Sequence, residues 1–262
     1  MIYAFSPEGV SRLSAALAAN PLLAFDIDGT LAPIVERPDK ARLPDEVQRC
    51  LAELAARAQV AIITGRSVAD AQRMLSFQPH YLIGNHGAEG LPDSRARSDE
   101  LGRIVRRWHG VLDACKLLAG TGVAVEDKRY SISLHYRRAT NPAAAHRAIR
   151  DCVNTLDPQP RVIRGKAVVN LLPVGAFDKG DALRALIGET RCNGVVYVGD
   201  DDTDETVFEL NLPNVLTLRV EPAADSAAEL FVRDQREVLK LMQHIAREIP
   251  SRESRRDEVR VR

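Results

Sequence analysis

Carboxylates placed directly after apolar runs are the residues of this sequence best suited to chemistry. Asp26-Ile27-Asp28-Gly29-Thr30-Leu31 follows the apolar run Pro21–Phe25. An acid at the end of a buried strand is held rigidly, and a second acid two residues on lies on the same side while the chain stays extended. Such a pair can divide its work, with Asp26 as nucleophile and Asp28 as proton donor. Gly29 lets the backbone approach closely, so that N–H groups can face an anion. A calcium loop is the plain alternative, but Thr30-Leu31-Ala32-Pro33 breaks its ligand spacing.

A second acidic group, Gly199-Asp200-Asp201-Asp202-Thr203-Asp204-Glu205, follows the apolar run Val195–Val198. Five acids in seven residues repel one another and call for a cation. Oxygen ligands beside a phosphate favour Mg²⁺, although a solvated acidic turn would read the same way. Thr64 ends Ala61-Ile62-Ile63 and precedes Gly65-Arg66-Ser67, where a hydroxyl and N–H groups at a helix start suit a phosphate oxygen. An ordinary helix cap would also use Thr64 or Ser67. Lys179 opens a helical stretch and could balance phosphate charge, or it could be a solvated lysine.

These residues need strands and helices to bring them together. Pro21–Phe25, Gln59–Ile63, Tyr81–Ile83, Gly194–Val198 and Pro213–Val220 read as buried strands. Leu43–Ala58 and Asp181–Ile187 read as helices. Alternation of the two predicts an α/β fold with a doubly wound parallel sheet, whose ligands bind beyond the carboxyl ends of the strands. Asp26, Asp28, Thr64, Asp200, Asp201 and Asp204 should gather at that rim. The middle of the chain has a different order. It reads as a helix at Leu101–Leu118, strands at Gly122–Val125 and Tyr130–Tyr136, a helix at Pro142–Leu156, and strands at Arg161–Ile163 and Ala167–Leu172. That is an α+β cap inserted into the core, giving core residues 1–101, cap residues 102–174 and core residues 175–262. Arg247–Arg262 reads as a charged tail.

Composition excludes several classes. The chain has 262 residues, 36 Lys+Arg against 36 Asp+Glu, and 45% apolar residues. The absence of a basic excess argues against a nucleic-acid partner. The apolar runs are too short for a membrane span, and Met1–Pro7 has no secretory pattern. A cytoplasmic enzyme acting on a small molecule is the expectation. Cys50, Cys115, Cys152 and Cys192 are scattered with no C-x-x-C pair, so they read as buried, unpaired residues.

Taken together, Asp26-Ile27-Asp28-Gly29-Thr30, Thr64, Lys179 and Gly199-Asp200-Asp201 with Asp204 resemble the four motifs of the haloacid dehalogenase (HAD) superfamily of phosphotransferases. The similarity implies a HAD-like core with an inserted cap. A narrower resemblance is to trehalose-6-phosphate phosphatases. It rests on Gly84-Asn85-His86-Gly87-Ala88-Glu89, on Glu126-Asp127-Lys128 with Ser131 and His135-Tyr136-Arg137, and on Gly165-Lys166. This resemblance implies a phospho-aspartate mechanism with Mg²⁺ held by Asp26, the backbone carbonyl of Asp28, and Asp200. Asp201 and Asp204 would act through water or from behind the ligands. Thr64 and Lys179 would hold the phosphoryl oxygens. Substrate contacts are implied for Arg66, Asn85, His86, Gly87, Glu126, Lys128, Arg137, Lys166 and Asn170. The family usually carries Glu where this chain has Asn170. That departure keeps sucrose, glucosylglycerate or pseudo-disaccharide phosphates open as substrates. A receiver-like module phosphorylated on Asp26 and a catalytically dead binding subunit are the rivals of other classes. The second carboxylate, the cap and the intact acidic set argue against both.

Overall fold

A computed structural model describes residues 1–249 apart from 19, 36, 38, 39, 92–94, 166 and 191. Chain order begins β1 (Ile2–Tyr3), α1 (Pro7–Leu17), β2 (Pro21–Phe25), α2 (Asp45–Arg57), β3 (Gln59–Ile63), α3 (Val68–Met74) and β4 (Tyr81–Ile83). The middle carries α4 (Arg95–Asp113), β5 (Ala124–Asp127), β6 (Ile132–His135), α5 (Pro142–Val153), β7 (Arg161–Gly165) and β8 (Val168–Leu172). The chain then forms α6 (Lys179–Glu189), β9 (Gly194–Gly199), α7 (Glu205–Phe208), β10 (Val215–Val220), β11 (Leu230–Val232) and α8 (Arg236–Glu248).

Seven strands form one sheet in the order β1-β11-β10-β9-β2-β3-β4, and every pairing in it is parallel. Its central strands are buried on both sides, which explains their unbroken apolar runs. Strand alternation divides the core in two. Leu23, Phe25, Val60, Ile62, Val196 and Val198 pack with α1, α2 and α8. Leu22, Ala24, Ala61, Ile63, Val195 and Tyr197 pack with α6 and α7 on the other face. In α2, Val47, Cys50, Leu51 and Leu54 line the buried face at helical spacing, and Pro44 sits at the N-cap.

A second sheet, β5-β6-β8-β7, is antiparallel. Ile132, Leu134, Val169 and Leu171 face Trp108 of α4 and Ile149 of α5. The opposite face is polar. Alternation of side chains along each strand therefore turns Glu126, Ser133, His135 and Asn170 away from this small core.

The expected helix at Leu101–Leu118 is instead α4, starting at Arg95 and ending at Asp113, followed by a separate turn at Lys116–Leu118. Cys115 is extended at that break. The break brings it to Cys152 of α5, and the two form a disulfide with Cα atoms 6.3 Å apart. This corrects the expectation of four unpaired cysteines. The pair is 37 positions apart in sequence, so no spacing rule pointed to it. Cys50 and Cys192 are free and buried. Among the described residues no helix is long and apolar enough to cross a membrane. The charged tail from 250 onward lies outside the described residues.

Candidate active site

The carboxyl ends of β2, β3 and β9 meet the N-terminus of α6. Asp26 continues the β2 ladder, its N–H donating to Val198 O at 3.0 Å. It is almost fully buried, 4% exposed. Gly29 has φ +88°, and a Cβ there would lie 2.0 Å from Asp200 Oδ2. Only glycine lets the turn after Asp28 approach Asp200 so closely. Gly199 plays the same part, since its Cβ would meet the Asp204 carboxylate at 2.2 Å.

Lys179 is the first residue of α6. Asp178 and Asp181 form a capping box at this helix end, which fixes where Lys179 begins its reach. The Lys179 ammonium is fully buried and donates to Asp26 Oδ1 at 3.0 Å and Asp204 Oδ1 at 2.8 Å. Burial alone would lower its pKa, but Asp204 and Asp26 hold it well above the ordinary value. Burial also raises Asp26 well above the carboxylate range, with Lys179 opposing and Asp204 adding to the rise. Burial and the neighbouring Asp26, Asp201 and Asp204 push Asp200 up to about 9.

Asp26, Asp200 and Asp204 place carboxylate oxygens within 4.8 Å of one another. Asp204, however, has no lone pair to spare. Its Oδ1 accepts from Lys179 and from the Tyr197 hydroxyl at 2.5 Å, and its Oδ2 accepts from the N–H groups of Asp200 and Asp201 at 2.9 and 3.0 Å. It braces the loop rather than offering a ligand. Asp200 Oδ1, by contrast, is buried and has no hydrogen-bond partner. That orphaned oxygen beside Asp26 fits a cation. Asp201 turns to Thr203, accepting from its N–H and hydroxyl.

Thr64 follows β3, and its Oγ1 accepts from Arg66 N at 3.2 Å. Arg66 grips Asp28, with Nε and Nη2 each donating to a different carboxylate oxygen at 2.6 Å. Beyond them a cavity of about 580 Å³ opens between the two sheets, lined by Asp26, Asp28, His86, Lys179 and Asp200 from one side. Glu126, Lys128, His135, Arg137 and Asn170 line it from the other.

Several contacts cross from one sheet region to the other. Lys128 Nζ donates to Gly65 O at 3.0 Å. Asn85 Nδ2 donates to Lys128 O and to Glu89 Oε2, while Asn85 Oδ1 accepts from Ser131 Oγ. Arg137 donates to Val35 O at 2.7 Å. Arg161 of β7 meets Asp178, the cap of α6, at 3.0 Å. Burial lowers Lys128, with Glu126 and Asp28 opposing. Burial would raise Glu126, but His135 and Lys128 bring it below its usual value.

The expected site residues thus separate into two groups. Asp26, Asp28, Arg66, His86, Glu126, Lys128, Arg137, Lys179 and Asn170 line the cavity. Asn85 and Gly87 do not line it. The Asn85 amide is consumed by holding residues 128–131, and Gly87, at φ +112°, lets its turn pack on Asp178 O. Lys166 lies outside the described residues. His86 has φ +57°, and both its ring nitrogens are buried without partners. Burial, helped by Lys128 and Lys179, lowers its pKa to about 3, so the ring is neutral. His135 lines the cavity as well, and Ser133 shares its face of β6. The alternation Ile132-Ser133-Leu134-His135 was the available signal, since burying Ile132 and Leu134 turns the other two to the opposite face.

A model of the family described as trehalose-phosphatase matches residues 24–235. The chain belongs to the trehalose-phosphatase family. Trehalose-phosphate phosphatase of Mycobacterium avium is 34% identical over 199 residues, covering 72% of this chain and 51% of that protein. The Mycobacterium tuberculosis protein of the same name is 30% identical over 245 residues, covering 87% and 62%. The chain therefore spans between half and two thirds of these relatives. Among solved structures, a trehalose-6-phosphate phosphatase related protein superposes with TM-score 0.70 at 25% identity, covering 86% of this chain and 97% of that one. The Aspergillus fumigatus trehalose-6-phosphate phosphatase superposes with TM-score 0.61 at 26% identity, covering 94% and 99%.

Proposed function

We propose that the chain hydrolyses trehalose 6-phosphate to trehalose and phosphate through a phospho-aspartate. The carrying observation is the Asp26–Lys179–Asp200 group at the foot of a cavity whose far wall is a polar antiparallel sheet. A phosphate seated at Asp26 would find its charge met by Lys179, and the remainder of the substrate would face residues suited to hydroxyls. Membership of the trehalose-phosphatase family and the mycobacterial relatives support trehalose as that remainder.

In this reading Asp26 attacks phosphorus in line, forming an O–P bond as the bond to the sugar oxygen breaks. Asp28 gives its proton to the departing oxygen and later takes one from the water that cleaves the aspartyl phosphate. Lys179 neutralises phosphoryl charge and Asp204 fixes Lys179. Thr64 would hold a phosphoryl oxygen from the end of β3. Asp26, Asp200 and the Asp28 carbonyl would hold Mg²⁺, which supplies charge neutralisation for phosphoryl transfer. Residues 102–174 act as the cap, which excludes water and presents Glu126, Lys128, Arg137 and Asn170 to the sugar.

The test is Mg²⁺-dependent phosphate release from trehalose 6-phosphate beside sucrose 6-phosphate, glucose 6-phosphate and glucosyl phosphoglycerate, with Asp26→Asn as blank. Release from trehalose 6-phosphate that EDTA and Asp26→Asn abolish is the expected result. Release only from another substrate would discard trehalose and keep the chemistry. No release from any of them would overturn the reading.

A further inference from the structure

The loop that presents Asp200 is fastened from two sides. On one side the Thr206 hydroxyl accepts from Gly180 N at 3.1 Å and donates to Thr203 O at 2.8 Å. That joins the loop to α6 one residue past Lys179. On the other side stands Arg219 of β10. Strand register sets Arg219 opposite Gly199, the residue before Asp200. Its Nη1 donates to Glu205 Oε1 at 2.6 Å and to Asp201 O, the residue after Asp200, at 3.4 Å. Arg219 thus holds the chain both before and after Asp200.

Glu205 is the other half of this fastening. Its Oε1 accepts from Arg219 and its Oε2 accepts from Ala227 N at 3.0 Å. Ala227 lies in the segment that leads into β11. The Arg219–Glu205 pair is mostly buried, with side chains 11% and 21% exposed. A charge-assisted bond in that setting fixes both groups. Glu205 is therefore an anchor of the loop, although it stands in a run of acids that could pass for ligands.

Position and charge act against each other here. A guanidinium near a cation site repels the cation. The same guanidinium ties the Asp200 loop to β10, which keeps the Asp200 carboxylate beside Asp26. We infer that Arg219 is a positioning residue of the metal site, and that it strengthens Mg²⁺ binding by holding the Asp200 loop even though its own charge opposes the ion. The inference rests on the reading of Asp26 and Asp200 as holders of Mg²⁺ and adds what keeps Asp200 in place.

The test is the Kd for Mg²⁺, measured by titration calorimetry on EDTA-treated full-length protein without substrate. Asp200→Asn is the blank, because any heat it retains comes from other acids. Arg219→Met removes a positive charge and leaves Glu205 unpaired, so charge alone would tighten binding. Loss of positioning should instead raise Kd by about tenfold to a hundredfold. The sign separates the two, and loss of stability in a protein that stays folded would not move Kd. A Kd that is unchanged or lower would overturn the inference. If circular dichroism shows that Arg219→Met is unfolded, Arg219→Met with Glu205→Gln, which keeps the net charge and leaves no buried charge alone, is read against the same expectation. Wild-type protein with no Asp200-dependent Mg²⁺ binding would overturn the metal reading and the inference with it. Wild-type protein that binds Mg²⁺ and releases no phosphate from trehalose 6-phosphate would remove the trehalose reading, while a raised Kd in Arg219→Met would still support the inference.

Discussion

Arg66 closes both oxygens of Asp28 in a two-point grip, each contact 2.6 Å long. The two residues follow β2 and β3, neighbouring strands of the large sheet. One oxygen must be released before Asp28 can hand a proton to a leaving group. Asp28→Asn is therefore expected to lower kcat by about 10²–10⁴. Arg66→Lys keeps the charge and loses the fork, so a smaller fall of about tenfold is expected. Phosphate-release kinetics check both, and a fully active Asp28→Asn protein would end the proton-carrier role.

Lys179 is held between Asp26 and Asp204 with a side chain only 2% exposed. Removing one partner of such a group leaves buried carboxylates unpaired. Lys179→Met should lower stability by about 3–5 kcal/mol and eliminate turnover, read by urea unfolding and by phosphate release. A Lys179→Met protein as stable as wild type would mean that Asp26 and Asp204 find other partners.

Asp200, raised to about 9 by burial and by Asp26, Asp201 and Asp204, marks where negative charge is crowded. Mg²⁺ should relieve that repulsion. At a hundredfold excess over Kd it is expected to add about 2.7 kcal/mol, a thermal shift of roughly 5–10 °C for a chain of this size. Asp200→Asn should raise the metal-free melting temperature and erase the response to Mg²⁺. Differential scanning calorimetry with EDTA and with Mg²⁺ decides it.

His86 titrates near 6.5 in an unfolded chain and near 3 in the fold, because burial and then Lys128 and Lys179 oppose its charge. Its folded pKa is depressed, so the unfolded chain binds more protons between those values. Stability is whole above 6.5 and falls as pH drops toward 3. At about pH 5 the loss is about 2 kcal/mol. His86→Gln should flatten this part of the stability curve, measured by urea unfolding at about pH 7.5 and about pH 5. An unchanged slope would assign the acid sensitivity elsewhere.

The Cys115–Cys152 bond closes the segment that contains Glu126, Lys128, His135 and Arg137. A closed loop of this length is worth about 3–4 kcal/mol to the fold. Reduction, or Cys152→Ala, is expected to lower the unfolding free energy by that amount, read as a lower urea midpoint, and a non-reduced peptide map should show the link. A midpoint indifferent to reductant would show that the bond adds nothing.

Much of the site could be read along the chain because strand ends are local events. An apolar run such as Pro21–Phe25 can be buried on both faces only in the middle of a sheet. The first acids after it, Asp26 and Asp28, must then stand at the sheet's edge. Val195–Val198 before Asp200 and Ala61–Ile63 before Thr64 obey the same rule. Very short strands escaped it. Ile2–Tyr3 and Leu230–Val232 are too brief to show a period, and they form the outer edge of the sheet.

The sequence by itself determined the residue types, the strand ends that carry them and the alternation that makes one face of the second sheet polar. Tertiary structure decided which groups meet. Lys179 lies 153 positions from the Asp26 oxygen it touches, and the packing of α6 on the paired strands β2 and β9 brings them together. Asp204 spends every lone pair on its neighbours, and Asn85 turns its amide into the seam between the sheets. The two cysteines bond because α4 stops at Asp113. The Asn170 amide oxygen accepts from the buried Ser133 hydroxyl, and strand register alone set those two residues opposite each other.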